Sequence, residues 1–246
     1  MSTDLLSIGL GFERWQDAVE AAIATNQLSV LGEVRGGQLI HYADPSGALI
    51  TIMAVEPYAT FAGFESVSQT FGNVTMVNDV VAYCEVIDAH GSVMQGVTVN
   101  LVHGPLLAEL PTQEWQQLAV AALMIDYTLY PSSEDFAAAG LGAVGEFDSP
   151  GARIVASGDG SQVPDAAATF SARVLDSEYR HNQLSGQRFI HATVDGAFPF
   201  DVCLPDAPEL PVRDSIIYGS AVMTAAVTSP TGGCGGCGGS CGCGGH

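Results

Sequence analysis

Short apolar runs bounded by turn residues recur along the first 228 residues, and they restrict the fold more than any other feature. Runs rich in valine, isoleucine and aromatic residues are typical of β-strands. Gly36-Gly37 and Asp195-Gly196 separate such runs as hairpin turns do, and Asp44-Pro45-Ser46-Gly47 is a four-residue turn signal. The runs predict strands at residues 28–34, 38–42, 48–55, 79–87, 94–103, 169–175, 187–194, 198–204 and 215–227.

Two stretches instead repeat apolar residues at helical spacing. Residues 13–24 do so through Trp15, Ala18 and Ala22, and residues 112–127 carry a broader stripe that follows Pro111. The second stretch predicts a long central helix packed on a sheet. The fold class that follows is α+β, mainly antiparallel β, with this helix and a disordered Gly/Cys-rich C-terminal tail.

Four regions are expected along the chain. Residues 1–110 form a βαβββ-like N-terminal β region, in which residues 5–10 are the first strand and 57–73 a connection. The helix and a glycine-rich linker occupy 111–164, with an exposed loop at 150–164. A small antiparallel β region covers 165–228, and a flexible Gly/Cys tail covers 229–246. One weak internal repeat is visible, because Ala82 and Gly96 have the same spacing as Ala172 and Gly186.

The charge of the chain excludes several partners. The formal net charge is −20, with seven arginines, no lysine and only 14% charged residues. Nucleic-acid affinity depends on lysine and arginine at phosphates, so this chain should repel nucleic acids and anionic membranes and attract metal ions or cationic partners. Because no basic signal-peptide start and no apolar run of membrane-spanning length occur, the expected location is cytoplasmic.

The tail carries the clearest chemical signal. Its last residues read C-G-G-C-G-G-S-C-G-C-G-G-H, so Cys234, Cys237, Cys241 and Cys243 lie within ten positions and His246 follows. Thiolates are strong ligands for Zn(II) and other soft metals, and in the cytoplasm clustered cysteines remain thiols. These five residues are the candidate metal ligands.

The glycine content of the tail indicates a labile site. A structural zinc supplies roughly 10–16 kcal/mol in small peptides. Ordering about ten residues costs roughly 1–2 kcal/mol each, which nearly cancels it. Two alternatives stay open: a low-complexity tail of no specific role, and a segment that resembles the precursor peptides whose cysteines and serines become thiazoles and oxazoles.

The body offers weaker candidates. The βαβββ order and the sequence D-P-S-G-A-L-I resemble one module of the vicinal-oxygen-chelate (glyoxalase-like) superfamily over residues 5–56. The resemblance implies a metal ligand on the first strand, where only Ser7 is present, and a carboxylate at the end of the last, where Glu56 lies.

The remaining cysteines and histidines have no recognised catalytic spacing. Cys84 and Cys203 lie in apolar strands and are predicted to be buried, and His41 and His191 are predicted to pack within strands. The glycines at 140, 142 and 145 follow a helix and lack the strand–helix context of a phosphate loop. The sequence therefore favours a metal-binding protein without a catalytic centre. The alternatives are a non-enzymatic interaction module with an incidental tail, and a glyoxalase-like metal enzyme.

Overall fold

The computed structural model describes residues 3–158 and 160–228, and strands account for half of the chain. The helices in this part are short. The elements in chain order are α1 (Thr3–Leu6), α2 (Trp15–Ala24), β1 (Ser29–Val34), β2 (Gly37–Ala43), β3 (Ala48–Met53), β4 (Ala59–Phe64), β5 (Thr70–Met76), β6 (Val81–Ile87), β7 (Val93–Leu101), α3 (Gly104–Leu107), β8 (Gln113–Tyr130), α4 (Ser133–Ala138), β9 (Phe147–Asp148), α5 (Pro150–Ser157), β10 (Ala167–His181), β11 (Arg188–Asp195), β12 (Pro199–Pro205) and β13 (Ile216–Thr228).

Strands β1 to β4 form an antiparallel four-stranded sheet, called here the meander sheet. The sequence predicts its first three strands and the turns between them, because Gly36 and Gly47 supply the positive φ angles of +80° and +95° that the turns require. Strand β3 is buried on both faces. One face of the meander sheet packs with α2 against the outer face of the larger sheet formed by β5 to β13. The other face contacts Val102, which follows β7.

Strands β5 to β8 and β10 to β13 form two closed rings that share a pair of strands. Ring 1 follows the order β8–β5–β6–β7–β13, and ring 2 follows β8–β12–β11–β10–β13. The shared pair, β8 with β13, is antiparallel from Gln117–Thr228 to Tyr130–Ile216. Alternate residues of every strand point inward, and one continuous apolar core fills both rings.

The two rings are related by a pseudo-two-fold axis. Thr224 pairs with Asn100 in a parallel ladder of ring 1, and Ala121 pairs with Asp201 in a parallel ladder of ring 2. Ala121 and Thr224 also pair with each other across the shared strands. Exchange of the rings therefore maps Ala121 onto Thr224 and Asn100 onto Asp201, and the axis passes through the central pair.

The prediction of a long central helix is wrong, because residues 113–130 form strand β8. Residues 118 to 124 are buried throughout: even-numbered residues such as Leu118 and Met124 face the ring core, whereas Ala121 and Leu123 face the N-terminal segment. A strand covered on both faces loses the alternation of polar and apolar residues and becomes a continuous apolar run. That run resembles the stripe of a buried helix, so the α+β assignment is replaced by a mostly β fold.

Three smaller predictions are also wrong. Residues 5–10 form the end of α1 and a turn in place of a strand, whereas α2 confirms the helix predicted from residue 13. The connection predicted at 57–73 contains β4 and the start of β5. The loop predicted at 150–164 contains α5, which Ser149 caps by accepting a hydrogen bond from the Ala152 amide. Glycine and serine in these stretches gave a loop-like composition, although tertiary packing orders them.

The N-terminal segment joins the meander sheet to ring 2. Ile8 and Leu10 pack with Phe64 of β4 and with Phe189 and Cys203 of ring 2 in a second core cluster. Within the described part of the chain, no helix has the length and apolar character needed to cross a bilayer.

Candidate functional site

The predicted metal ligands of the tail lie outside the described residues. This applies to Cys234, Cys237, Cys241, Cys243 and His246. Within residues 3–158 and 160–228, no group of three or more histidine, cysteine, aspartate or glutamate residues has the arrangement of a metal site.

Both thiols of the body are enclosed, as the sequence predicts. Cys84 faces the core of ring 1, and burial raises its pKa to about 12. Cys203 lies on the outer face of ring 2, and its pKa is raised well above the usual value by burial first and by the charge of Asp201 second. The two cysteines occupy different rings and both are free thiols. At neutral pH neither supplies the thiolate that metal binding or nucleophilic attack requires.

His191 and Asp201 form a buried polar pair in the body. His191 Nε2 lies 2.8 Å from Asp201 Oδ2, and the residues are 3% and 0% exposed. Asp201 also accepts hydrogen bonds from the amides of Val67 (2.7 Å) and Ser68 (3.1 Å). Burial alone would raise the pKa of Asp201, but the hydrogen bonds from His191, Ser68 and Val67 together lower it.

His191 is held on its other sides as well. Its Nδ1 lies 3.5 Å from Oε1 of Glu178, and its ring centroid lies 5.3 Å from that of Phe64. Arg180 donates to the same Glu178 oxygen at 2.8 Å and lowers the pKa of that carboxyl group. Since Arg180 also donates to the Ser46 carbonyl at 3.0 Å, the cluster ties ring 2 to the meander sheet.

Cys203 lies directly opposite His191 in the β11–β12 ladder, and Asp201 is two residues before it on the same face. Cysteine, histidine and aspartate thus occur together, as in some nucleophilic sites. Their environment opposes that chemistry, because the Cys203 thiol is 0% exposed and its pKa is raised. We interpret the cluster as a structural anchor that fixes residues 67 and 68, at the connection between the meander sheet and ring 1, against ring 2.

A second buried carboxylate performs the same kind of task. Asp44 accepts hydrogen bonds from the Tyr42 hydroxyl and from the amides of Ser46, Gln183 and Leu184. Burial, and then the charge of Asp44, raise the pKa of Tyr42 to about 12. Asp44 therefore fastens the tip of the β10–β11 hairpin to the turn between β2 and β3.

The residues implied by the glyoxalase-like resemblance are not arranged as that resemblance implies. Ser7 follows α1 in a turn, is fully buried, and donates to the Asp4 carbonyl at 2.5 Å. Glu56 follows β3. The expected ligand-bearing first strand is absent from residues 5–10, which the structure describes in full.

Sequence reasoning treated His191 as a packed residue and did not single out Asp201 or Asp44. The available signal was an ionisable residue inside an otherwise apolar strand, as in F-D-V-C-L around Asp201. Such a residue needs a partner when it is buried, but the sequence does not identify that partner.

Comparison with known proteins adds no further assignment: no family model, no curated protein and no solved structure matches the chain.

Proposed function

We propose that this chain is a cytoplasmic metal-handling protein that binds Zn(II) or another soft metal through Cys234, Cys237, Cys241 and Cys243, with His246 as a further ligand. The observation that carries the proposal is the separation of the six cysteines into two chemical classes. Four are concentrated in a glycine-rich segment of metal-ligand composition, whereas Cys84 and Cys203 are enclosed.

The enclosure of the two body cysteines supports this assignment in a specific way. Because burial raises the pKa of both thiols, a metal ion that needs thiolate ligands finds none on the body at neutral pH. The net charge of −20 further favours cations near the protein. Thiolate binding is thus left to the tail, where glycine-rich spacing favours ready exchange of the ion over a rigid structural site.

Metal analysis of the purified chain tests the proposal. We expect zinc bound through the tail after loading and dialysis, and one zinc ion fewer per chain in the variant C234S/C237S/C241S/C243S. The matched controls C84A and C203A should keep the metal, because these side chains do not face solvent. Absence of metal from the unsubstituted chain overturns the proposal, and so does a four-serine variant that binds as much zinc as the unsubstituted chain.

Thiol titration provides an independent measurement. The native metal-free chain should react rapidly at four thiols, which are the six of the sequence less the two enclosed ones, and at all six after denaturation. Rapid reaction of five or six thiols in the native chain would contradict the separation into two classes.

A further inference from the structure

One face of the meander sheet is directed at the end of β7 and the start of α3, next to ring 1. Side chains on this face follow one another in three rows, because residues two apart on a strand share a face. The rows, from the far end inward, are the outer row of Leu39 and Met53, the polar row of His41 and Thr51, which Phe61 extends on β4, and the inner row of Leu49 and Gly63.

The opposing segment presents its residues in the matching order. Leu106 of α3 packs with the outer row in an apolar cluster. Val102 meets the inner row, since a Cβ built on Gly63 would lie 3.0 Å from Val102 Cγ2. His103 lies between Val102 and Leu106 in the chain, which brings its backbone to the level of the polar row.

Three enclosed polar atoms on residues of this interface have no hydrogen-bond partner among the protein atoms: His41 Nδ1, Thr51 Oγ1 and His103 Nδ1. Five enclosed side-chain atoms in the described residues lack a partner, so most of them belong to this cluster. Thr51 is 0% exposed. Buried polar groups in native proteins are nearly always paired with protein, water or an ion, so these three atoms need water or an ion as a partner.

A neutral imidazole keeps a lone pair on one ring nitrogen, and this is the form that binds transition-metal ions. The two histidines therefore offer one ligand nitrogen each.

We propose that His41 and His103 bind a divalent transition-metal ion of the zinc, nickel and copper class between the meander sheet and ring 1. Imidazole nitrogen suits these ions, and water completes the coordination. The Thr51 hydroxyl hydrogen-bonds a metal-bound water and orients it. With two protein ligands the ion exchanges readily. This site is separate from the tail and does not depend on thiolate binding there.

Equilibrium dialysis with Zn(II) on the full chain carrying C234S/C237S/C241S/C243S tests the proposal without competition from the tail. We expect one zinc per chain. The variants H41A and H103A, each in that background, should weaken binding at least about tenfold. The control variants H90A and H181A remove exposed histidines and should leave the affinity unchanged.

A second measurement tests the site without substitution of either histidine, in case H41A or H103A folds poorly. In the four-serine chain, Zn(II) should shift the imidazole nitrogen resonances of His41 and His103 and leave those of His90 and His181 in place. The isosteric variant T51V should fold and bind zinc a few-fold more weakly. Absence of bound zinc, equal losses in the control variants, or unshifted His41 and His103 resonances would overturn the proposal. Any of these results leaves the thiolate site of the tail intact.

Discussion

Ring 1 and ring 2 share a topology but fill their interiors with different side chains. The pseudo-two-fold that maps Asn100 onto Asp201 also maps Val97 onto Phe198 and Val99 onto Phe200. All four of these apolar residues are buried. Identical strand order therefore tolerates residues of very different volume at corresponding positions.

Ring 2 accommodates its larger residues by adding an aromatic strand. Phe147 of β9, which pairs with the edge of β10, lies parallel to Phe170 with ring centroids 5.9 Å apart. Phe170 in turn contacts Phe200 edge-on at 5.0 Å. Ring 1 has aliphatic residues and Cys84 in this role. The comparison shows that the shared pair of strands, β8 with β13, and the alternation of apolar residues define each ring, whereas the size of the core residues differs between the rings.

The outer surfaces of the rings differ more than their cores. Asp201 of ring 2 is fully buried and joined to His191 and to the amides of residues 67 and 68, whereas the corresponding Asn100 of ring 1 is only half-buried. Ring 1 also exposes Phe71 and Trp115. Ring 2 thus carries the polar anchors of the N-terminal region.

Truncation of equivalent core residues in the two rings should give the largest difference in the free energy of unfolding. F200A should lower the free energy of unfolding by about 3–5 kcal/mol, because it leaves a cavity among Phe147, Phe170 and Phe198. The equivalent V99A removes two methyl groups and should cost about 2 kcal/mol. Urea unfolding of both variants measures the difference, and equal losses would refute the distinction between the cores.

The polar anchors should show the next largest effect. D201N leaves one donor among His191, Val67 and Ser68 without an acceptor, so we expect a loss of about 1–3 kcal/mol at pH 7. The matched variant N100A should change stability by less than about 0.5 kcal/mol.

The pH dependence of this loss has a defined sign. The pKa of Asp201 is lower in the folded chain, so its contribution is complete above the unfolded value near 3.8 and disappears as pH falls through the folded value. The difference between the parent chain and D201N should therefore narrow in acid. A difference that widens would refute the account of Asp201 as a paired carboxylate.

The histidines between the meander sheet and ring 1 predict a second pH effect, at higher pH. His41 and His103 have lowered pKa values in the folded chain, so between those values and 6.5 the unfolded chain binds more protons. Without metal, stability should fall as pH decreases through 6.5, and H41Q/H103Q should flatten that slope. Unfolding curves in a chelator from pH 8 to pH 5 measure it, and an unchanged slope in the double variant contradicts the prediction.

The smallest effect should come from the exposed ion pair between the meander sheet and ring 1. Arg35 contacts both oxygens of Asp79, at 3.0 and 2.5 Å, and is one-third exposed. R35A should cost less than about 1 kcal/mol, and high salt should reduce that cost. A loss as large as that of D201N would show that ring 1 is anchored as firmly as ring 2.

Sequence patterns predicted those strands that carry a clear local signal, such as alternating apolar residues next to a turn residue. Strands β2 and β11 combine a period of two with a turn residue at a hairpin end, and both were found near the predicted positions. The repeat was visible only as a coincidence: Ala82 and Ala172 lie in β6 and β10, whereas the pseudo-two-fold relates β6 to β11. The hairpins of ring 1 and ring 2 differ in length, so equivalent residues of the two rings are not separated by a constant number of residues. A repeat of fixed spacing therefore does not identify them.

The sequence by itself determined the composition of the tail, the burial of Cys84 and Cys203, and the hairpin turns at Gly36, Gly47 and Gly196, because these depend on residue type and near neighbours. Tertiary structure decided the nature of residues 113–130, since burial on both faces removed the alternation that identifies a strand. It also decided which polar residues meet. His191 with Asp201, and His41 with His103, come together only through pairing and packing of distant segments, which local patterns do not encode.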